Sequence, residues 1–160
     1  MRLAAPLLVA LALPACASMP PSLQHPLAGA QAPSLPAEPP SNIGIPTAVS
    51  TKVTVLDFWA SWCDGCQVSL PALDAIYRDK REDGVRVIGV SLDERAENAY
   101  ALAAALHTSF PVVVDDGRLA SQFRVAQVPL TFVIDANGTV RWVGRDPSAV
   151  RRAVSALLAE

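Results

Sequence analysis

Val53-Thr54-Val55-Leu56-Asp57-Phe58-Trp59-Ala60-Ser61-Trp62-Cys63-Asp64-Gly65-Cys66 decides how this chain reads. Its first seven residues are mostly apolar and rich in β-branched and aromatic side chains, the pattern of a buried strand. Ala60 to Gly65 is a turn. A helical pattern follows from Cys66 to about Asp83, with Val68, Leu70, Leu73, Ile76 and Tyr77 apolar at helical spacing and Gly84 as its stop. Two cysteines therefore straddle a strand-to-helix turn with two residues between them, a spacing that brings the sulfurs within disulfide reach. Cys63 falls at the helix N-terminus, where unpaired N–H groups and the helix dipole stabilise a thiolate. Thiol pKa values at such positions fall from about 8.5 to roughly 3.5–7.5. Cys66, one turn further in, is expected to be buried and to resolve a mixed disulfide.

A two-residue cysteine spacing also serves zinc and haem. The chain has three cysteines and two histidines, His25 and His107. No second Cys-x-x-Cys exists for a four-cysteine zinc site, and no His follows Cys66 as haem attachment requires. Redox chemistry is the reading left. The net charge of −2 gives no electrostatic case for nucleic acid.

Beyond Gly84 the chain alternates. Val85–Val90 reads as a strand, Glu94–His107 as a helix, Val112–Val114 as a strand and Arg118–Phe123 as a short helix. Leu130–Ile134 and Thr139–Val143 read as strands joined at Asn137-Gly138, a strong hairpin signal. Asp146-Pro147 opens a last helix, with Asp as cap and Pro at the first helical position. Alternation followed by a hairpin and a closing helix implies an α/β fold, a mixed sheet with helices on both faces.

Upstream, the character changes. Met1-Arg2 and the apolar run Leu3–Leu13 have the layout of a secretory signal peptide, too short to span a bilayer of roughly 20 helical residues. Residues 1–15 are read as this signal. Leu13-Pro14-Ala15-Cys16 matches a lipobox, with cleavage before a lipidated Cys16; Ala15-Cys16-Ala17 also fits ordinary cleavage after Ala17. Lipidation is the favoured reading, and either one leaves Cys63 and Cys66 as the remaining thiols. Residues 16–50 hold eight of the fourteen prolines and read as a semi-rigid spacer with no core role. The domain is assigned to 51–160.

The active segment Asp57–Cys66 resembles that of thioredoxins. Phe110–Asp115 and Val128–Gly138 are similar to the TlpA/ResA-like branch, exported and membrane-tethered, with an extra helix and strand inserted before the cis-proline. Residues 94–114 have the length and pattern of that insert, and the resemblance covers about 52–158. It implies a thioredoxin fold, a three-layer sandwich around a mixed sheet with an inserted helix–strand. It implies that Pro71 kinks the active-site helix, that Asp57 is the buried carboxylate taking a proton as Cys66 becomes nucleophilic, and that Trp62 lies beside the site. It implies that Val128-Pro129 is cis and faces the disulfide, with Val128 offering backbone hydrogen bonds to a substrate strand.

Signal, spacer and resemblance together imply an exported, periplasm-facing protein-disulfide reductase, anchored at Cys16. It would work on disulfide-containing proteins, be recharged by a membrane thiol reductant, and need no cofactor beyond its Cys63–Cys66 pair and no metal. Gly65 replaces the proline that commonly precedes the second cysteine. Asp64 disfavours a neighbouring thiolate and so favours the disulfide, making the dithiol the better electron donor. Two other readings stay open. Peroxide reduction wants a Thr or Ser three residues before its cysteine, where Ala60 stands. A Cu(I)-binding module wants a histidine near the pair, and His107 falls in the inserted helix.

Overall fold

The computed structural model describes residues 18–35 and 50–160. Strand β1 (Val53–Trp59) lies at the centre of a five-stranded sheet, parallel to β2 (Val85–Ser91) and antiparallel to β4 (Leu130–Asp135). β3 (Val112–Val114) extends the sheet beyond β2 and β5 (Val140–Gly144) beyond β4, in the order β3-β2-β1-β4-β5. The first three strands are parallel and the last two close as an antiparallel hairpin, so the sheet is mixed.

Alternate residues of β1 serve two cores, as period-2 geometry demands. Val53, Val55 and Trp59 face one side with α1 (Asp64–Lys80), α2 (Ala96–Ala105) and α4 (Pro147–Leu158). Leu56 and Phe58 face the other, with the short α3 (Arg118–Gln122) and an aromatic group of Phe58, Phe123 and Phe132. This is the expected three-layer arrangement with an inserted α2–β3 unit. Helix α1 starts two residues before the reading from periodicity, with Cys63 as its N-cap, and ends through a 3-10 turn at Gly84, whose φ of +96° is the left-handed region. Asp146 caps α4 through Ser148 N–H, with Pro147 at the first helical position, as expected.

Part of the expected spacer departs from the reading. Residues 18–35 form a strap along the edge of β5. Leu23 N–H donates to Val143 O at 2.8 Å, Gly29 N–H to Val140 O at 2.8 Å and Val140 N–H to Ala30 O at 2.9 Å. Gln31 bridges Thr139, and Trp142 Nε1–H donates to Pro21 O at 2.9 Å. Met19 packs on the α1/α4 side, while Leu27, Ala32 and Leu35 pack on the other core. The physical reason is that an edge segment needs only scattered donors, so prolines are tolerated there. The face covered by the five-residue α3 alone would be thin, and the strap supplies its missing apolar cover. Cys16 and the apolar run 3–13 lie outside the described residues.

Candidate active site

Cys63 and Cys66 are joined as a disulfide with their Cα atoms 5.3 Å apart. Cys63 has extended backbone, as an N-cap requires, and its Sγ accepts the Cys66 N–H at 3.2 Å. The sulfur thus occupies the place a Ser or Asp oxygen takes in ordinary caps. Cys66 is fully buried, whereas Cys63 keeps 8% of its surface exposed. Of the two cysteines, then, only the first keeps an edge at the surface. Pro71 lies inside α1 and is accommodated there.

The residues flanking Cys63 in sequence expose both apolar and polar side chains, Trp62 and Val68 together with Asp64 and Gln67. Trp62 is 68% exposed and Val68 75% exposed. The Val128–Pro129 peptide is cis, and the Pro129 ring stands over the first turn of α1: a Cβ placed on Gly65 would lie 3.4 Å from its Cδ. Cys63, Gly65, Val128 and Pro129 therefore share one end of the sheet, beside Trp62. Asp64 is exposed in the first turn of α1.

Beneath them lies Asp57, on the β1 face that packs against α1 and paired in register with Gly89 and Thr131. It is wholly buried. Thr131 Oγ1–H donates to its Oδ1 at 2.7 Å, and Oδ2 has no partner. Burial pushes the carboxyl up from its ordinary 3.8 to about 7, with the Thr131 hydrogen bond pulling weakly the other way. Trp59 is buried too, its Nε1 without a hydrogen-bond partner.

Sequence reasoning missed the residues that hold the turn. Ser61 donates its N–H and its hydroxyl to Asp93, at 2.9 and 2.6 Å, and Ser91 donates its hydroxyl to the same carboxylate at 2.7 Å. A usable signal was present. Ser61 follows β1 and Asp93 follows β2, and connections at the carboxyl ends of adjacent parallel strands lie side by side where such folds place their sites. His107 does not join the cysteines. It follows α2, and its carbonyl accepts from Arg78 Nη2 at 3.1 Å, near the far end of α1. Arg78 is roughly 18 Å along the helix from Cys66, so the copper reading lacks its third ligand. His25 packs edge-on against Phe132, in the strap.

A mixed sheet flanked by helices, with a capping cysteine over a buried one and a cis-proline opposite, defines a thioredoxin-like domain carrying a dithiol–disulfide centre. Residues 29–143 match the AhpC/TSA family model, and the chain belongs to that family. It is 31% identical over 91 residues to thiol-disulfide oxidoreductase ResA of Geobacillus thermodenitrificans, covering 56% of this chain and 52% of that protein. It is 38% identical over 90 residues to thiol:disulfide interchange protein DsbE of Xylella fastidiosa, covering 55% of this chain and 44% of that one. The chain spans about half the length of the curated relatives it matches. A crystal structure assigned to a DsbE of Chlorobium tepidum superposes with a TM-score of 0.64 at 30% identity, over 68% of this chain and 82% of that one.

Proposed function

We propose that this chain is a thiol–disulfide oxidoreductase that reduces protein disulfides through Cys63 and Cys66. The observation that carries it is the pair's asymmetry: Cys63, with a small exposed edge, at a helix N-terminus, backed by a wholly buried Cys66. Cys63 thiolate attacks one sulfur of a substrate disulfide, that bond breaks, and the departing thiolate takes a proton. Cys66 then loses its proton and attacks Cys63 Sγ, which releases the second substrate thiol and leaves the Cys63–Cys66 disulfide. Two electrons pass from the dithiol to the substrate. Asp57, whose carboxyl burial pushes up to about 7, takes the Cys66 proton in its ionised form. Trp62, Val128 and Pro129 form the substrate's seat, with Val128 offering main-chain hydrogen bonds. The cysteine pair carries the electrons itself and needs no added cofactor.

The exported reading extends this. Among the described residues no helix is long and apolar enough to cross a membrane. Membrane attachment falls to a lipid on Cys16, with the domain on the periplasmic side and a membrane thiol reductant restoring the dithiol. Ala60, three residues before Cys63, is buried and carries no hydroxyl, which leaves peroxide chemistry without the side chain it wants.

The test is the reduction potential of the chain carrying Cys16→Ser, measured in glutathione buffers. A two-electron couple below about −230 mV marks an electron donor, and one above about −180 mV marks an oxidant or isomerase and ends the reductant reading. Asp64→Asn should move the couple toward the oxidising side, since it removes a like charge beside the Cys63 thiolate. An unchanged potential would rule out tuning by Asp64.

A further inference from the structure

The turn between β1 and α1 is anchored by a carboxylate from another element. Asp93 stands two residues beyond β2, and it and Ser91 are buried. Its Oδ2 accepts the Ser61 N–H at 2.9 Å and the Ser91 hydroxyl at 2.7 Å, and its Oδ1 accepts the Ser61 hydroxyl at 2.6 Å. The Asp93 N–H donates back to Ser91 Oγ at 3.1 Å, and the adjoining Leu92 N–H donates to Trp59 O at 2.8 Å. The two hydroxyl contacts are as short as charge-assisted bonds. Inside the turn, the Cys63 N–H donates to Ala60 O at 3.2 Å and Cys63 Sγ receives the Cys66 N–H at 3.2 Å. The place of the sulfur over the helix end is therefore set by a turn whose anchor on the rest of the domain is Asp93.

We propose that Asp93 is a positioning residue: by fixing Ser61 it holds the sulfur of reduced Cys63 against the N–H groups that open α1, and so sets how much thiolate forms near neutral pH. This rests on the reading of Cys63 as the nucleophile. The charged groups on the elements around the turn are Asp57 from β1, Asp64 from α1, Asp93 from the β2–α2 connection and Arg145 just beyond β5, whose guanidinium meets the Gln127 side chain at the start of the cis-proline loop. Those carried by β1, α1 and the β2–α2 connection are all acids. What the turn itself gives the thiolate therefore comes from the helix N–H groups, which act over a short range and demand correct placement.

The test alkylates the reduced full-length chain, carrying Cys16→Ser, with iodoacetamide across pH. Cys66 is buried, so the rate follows the Cys63 thiolate. Asp93→Ala should slow alkylation about tenfold near neutrality and raise the midpoint of the profile by roughly one pH unit, the lost placement outweighing the lost like charge, with the two rates meeting at alkaline pH. Asp93→Asn should bring the midpoint back to the wild-type value or below it, because an amide oxygen can accept the Ser61 N–H, an amide N–H can donate to the Ser61 hydroxyl, and the like charge is gone. A residue that merely supports the fold would lower stability and leave the midpoint where it was. A folded Asp93→Ala chain with the wild-type midpoint overturns the proposal, as does an Asp93→Asn chain that shifts as far as Asp93→Ala. Should Asp93→Ala fail to fold, Ser61→Ala decides, since it loses one of the bonds: a smaller upward shift upholds the proposal and an unmoved midpoint overturns it. Iodoacetamide needs no protein substrate. A chain that reduces no disulfide yet shows the Asp93→Ala shift fails the functional reading and upholds this one.

Discussion

Asp57 makes the stability of the oxidised domain depend on pH in an unusual direction. Its carboxyl is wholly buried with a single hydrogen bond, and desolvation raises it from 3.8 to about 7. In the unfolded chain it ionises near its ordinary value. Between these two pH values the folded state binds a proton that the unfolded state has released, so stability falls as pH rises. The stabilising contribution is fully present below about pH 4 and lost by the time pH has passed about 7. At roughly 1.4 kcal/mol per pH unit, a rise from 3.8 to about 7 comes to about 4 kcal/mol. Asp57→Asn removes the titration and keeps an acceptor for Thr131. Its stability relative to wild type should therefore climb by about 4 kcal/mol from about pH 4 to about pH 8. Its absolute offset is set separately by the amide N–H groups left in an apolar site. Urea denaturation of both oxidised proteins at several pH values measures this, and the informative quantity is the difference between them, which cancels every other titrating group. A difference independent of pH would refute the reasoning, because it would mean that Asp57 titrates alike in the folded and unfolded chains.

Three further outcomes are expected. Cys63→Ser should abolish disulfide turnover, while Cys66→Ser should accumulate a mixed disulfide with substrate, seen as a reductant-sensitive heavy band on a non-reducing gel; normal turnover by Cys63→Ser would remove the mechanism. Deleting residues 1–35 uncovers the β5 edge and the apolar cover of Leu27, Ala32 and Leu35. It should cost at least about 2 kcal/mol in urea denaturation and give concentration-dependent elution in size-exclusion chromatography as bare edges pair. Gly65→Ala places a methyl group in ordinary contact with Pro129, in a helix turn where glycine needs no special conformation; it should stabilise the oxidised domain by about 0.5 kcal/mol, read as a raised urea midpoint.

Local pattern revealed most of the sheet and helices because each element carries its own period. Val53–Trp59 is apolar on both faces, as a central strand must be, and Asn137-Gly138 marks the hairpin, where Gly138 adopts a φ of +81°. Asp57 stood out for the same reason, as one charge within an apolar run. The strap was not legible. Its hydrogen bonds are made singly by Leu23, Gly29, Ala30 and Ala32, between prolines, and leave no alternation to detect. Composition rules read such a segment by the donors it lacks, whereas an edge asks for few. The family match beginning at residue 29 falls within the strap and agrees with its packing. Ser61, Ser91 and Asp93 escaped for another reason. Serine and aspartate are ordinary turn residues, and Ser61 meets Asp93 only because β1 and β2 are parallel neighbours ending together.

On the proposed reading two buried carboxylates serve one disulfide, and their surroundings separate the tasks assigned to them. Asp93 has a donor on each oxygen and a third to share, so its hydrogen-bonding capacity is met where it stands. Such a group holds geometry. Asp57 has one donor, one oxygen without a partner and apolar neighbours, an arrangement that is costly when charged. A strand selected only for stability would do better with a valine at that position. The cost is offset if the carboxyl must accept a proton from a thiol that cannot reach water, and Cys66 is such a thiol, fully buried on the same side of the sheet. The contrast makes a joint requirement: loss of Asp93 should be felt at Cys63, and loss of Asp57 at Cys66.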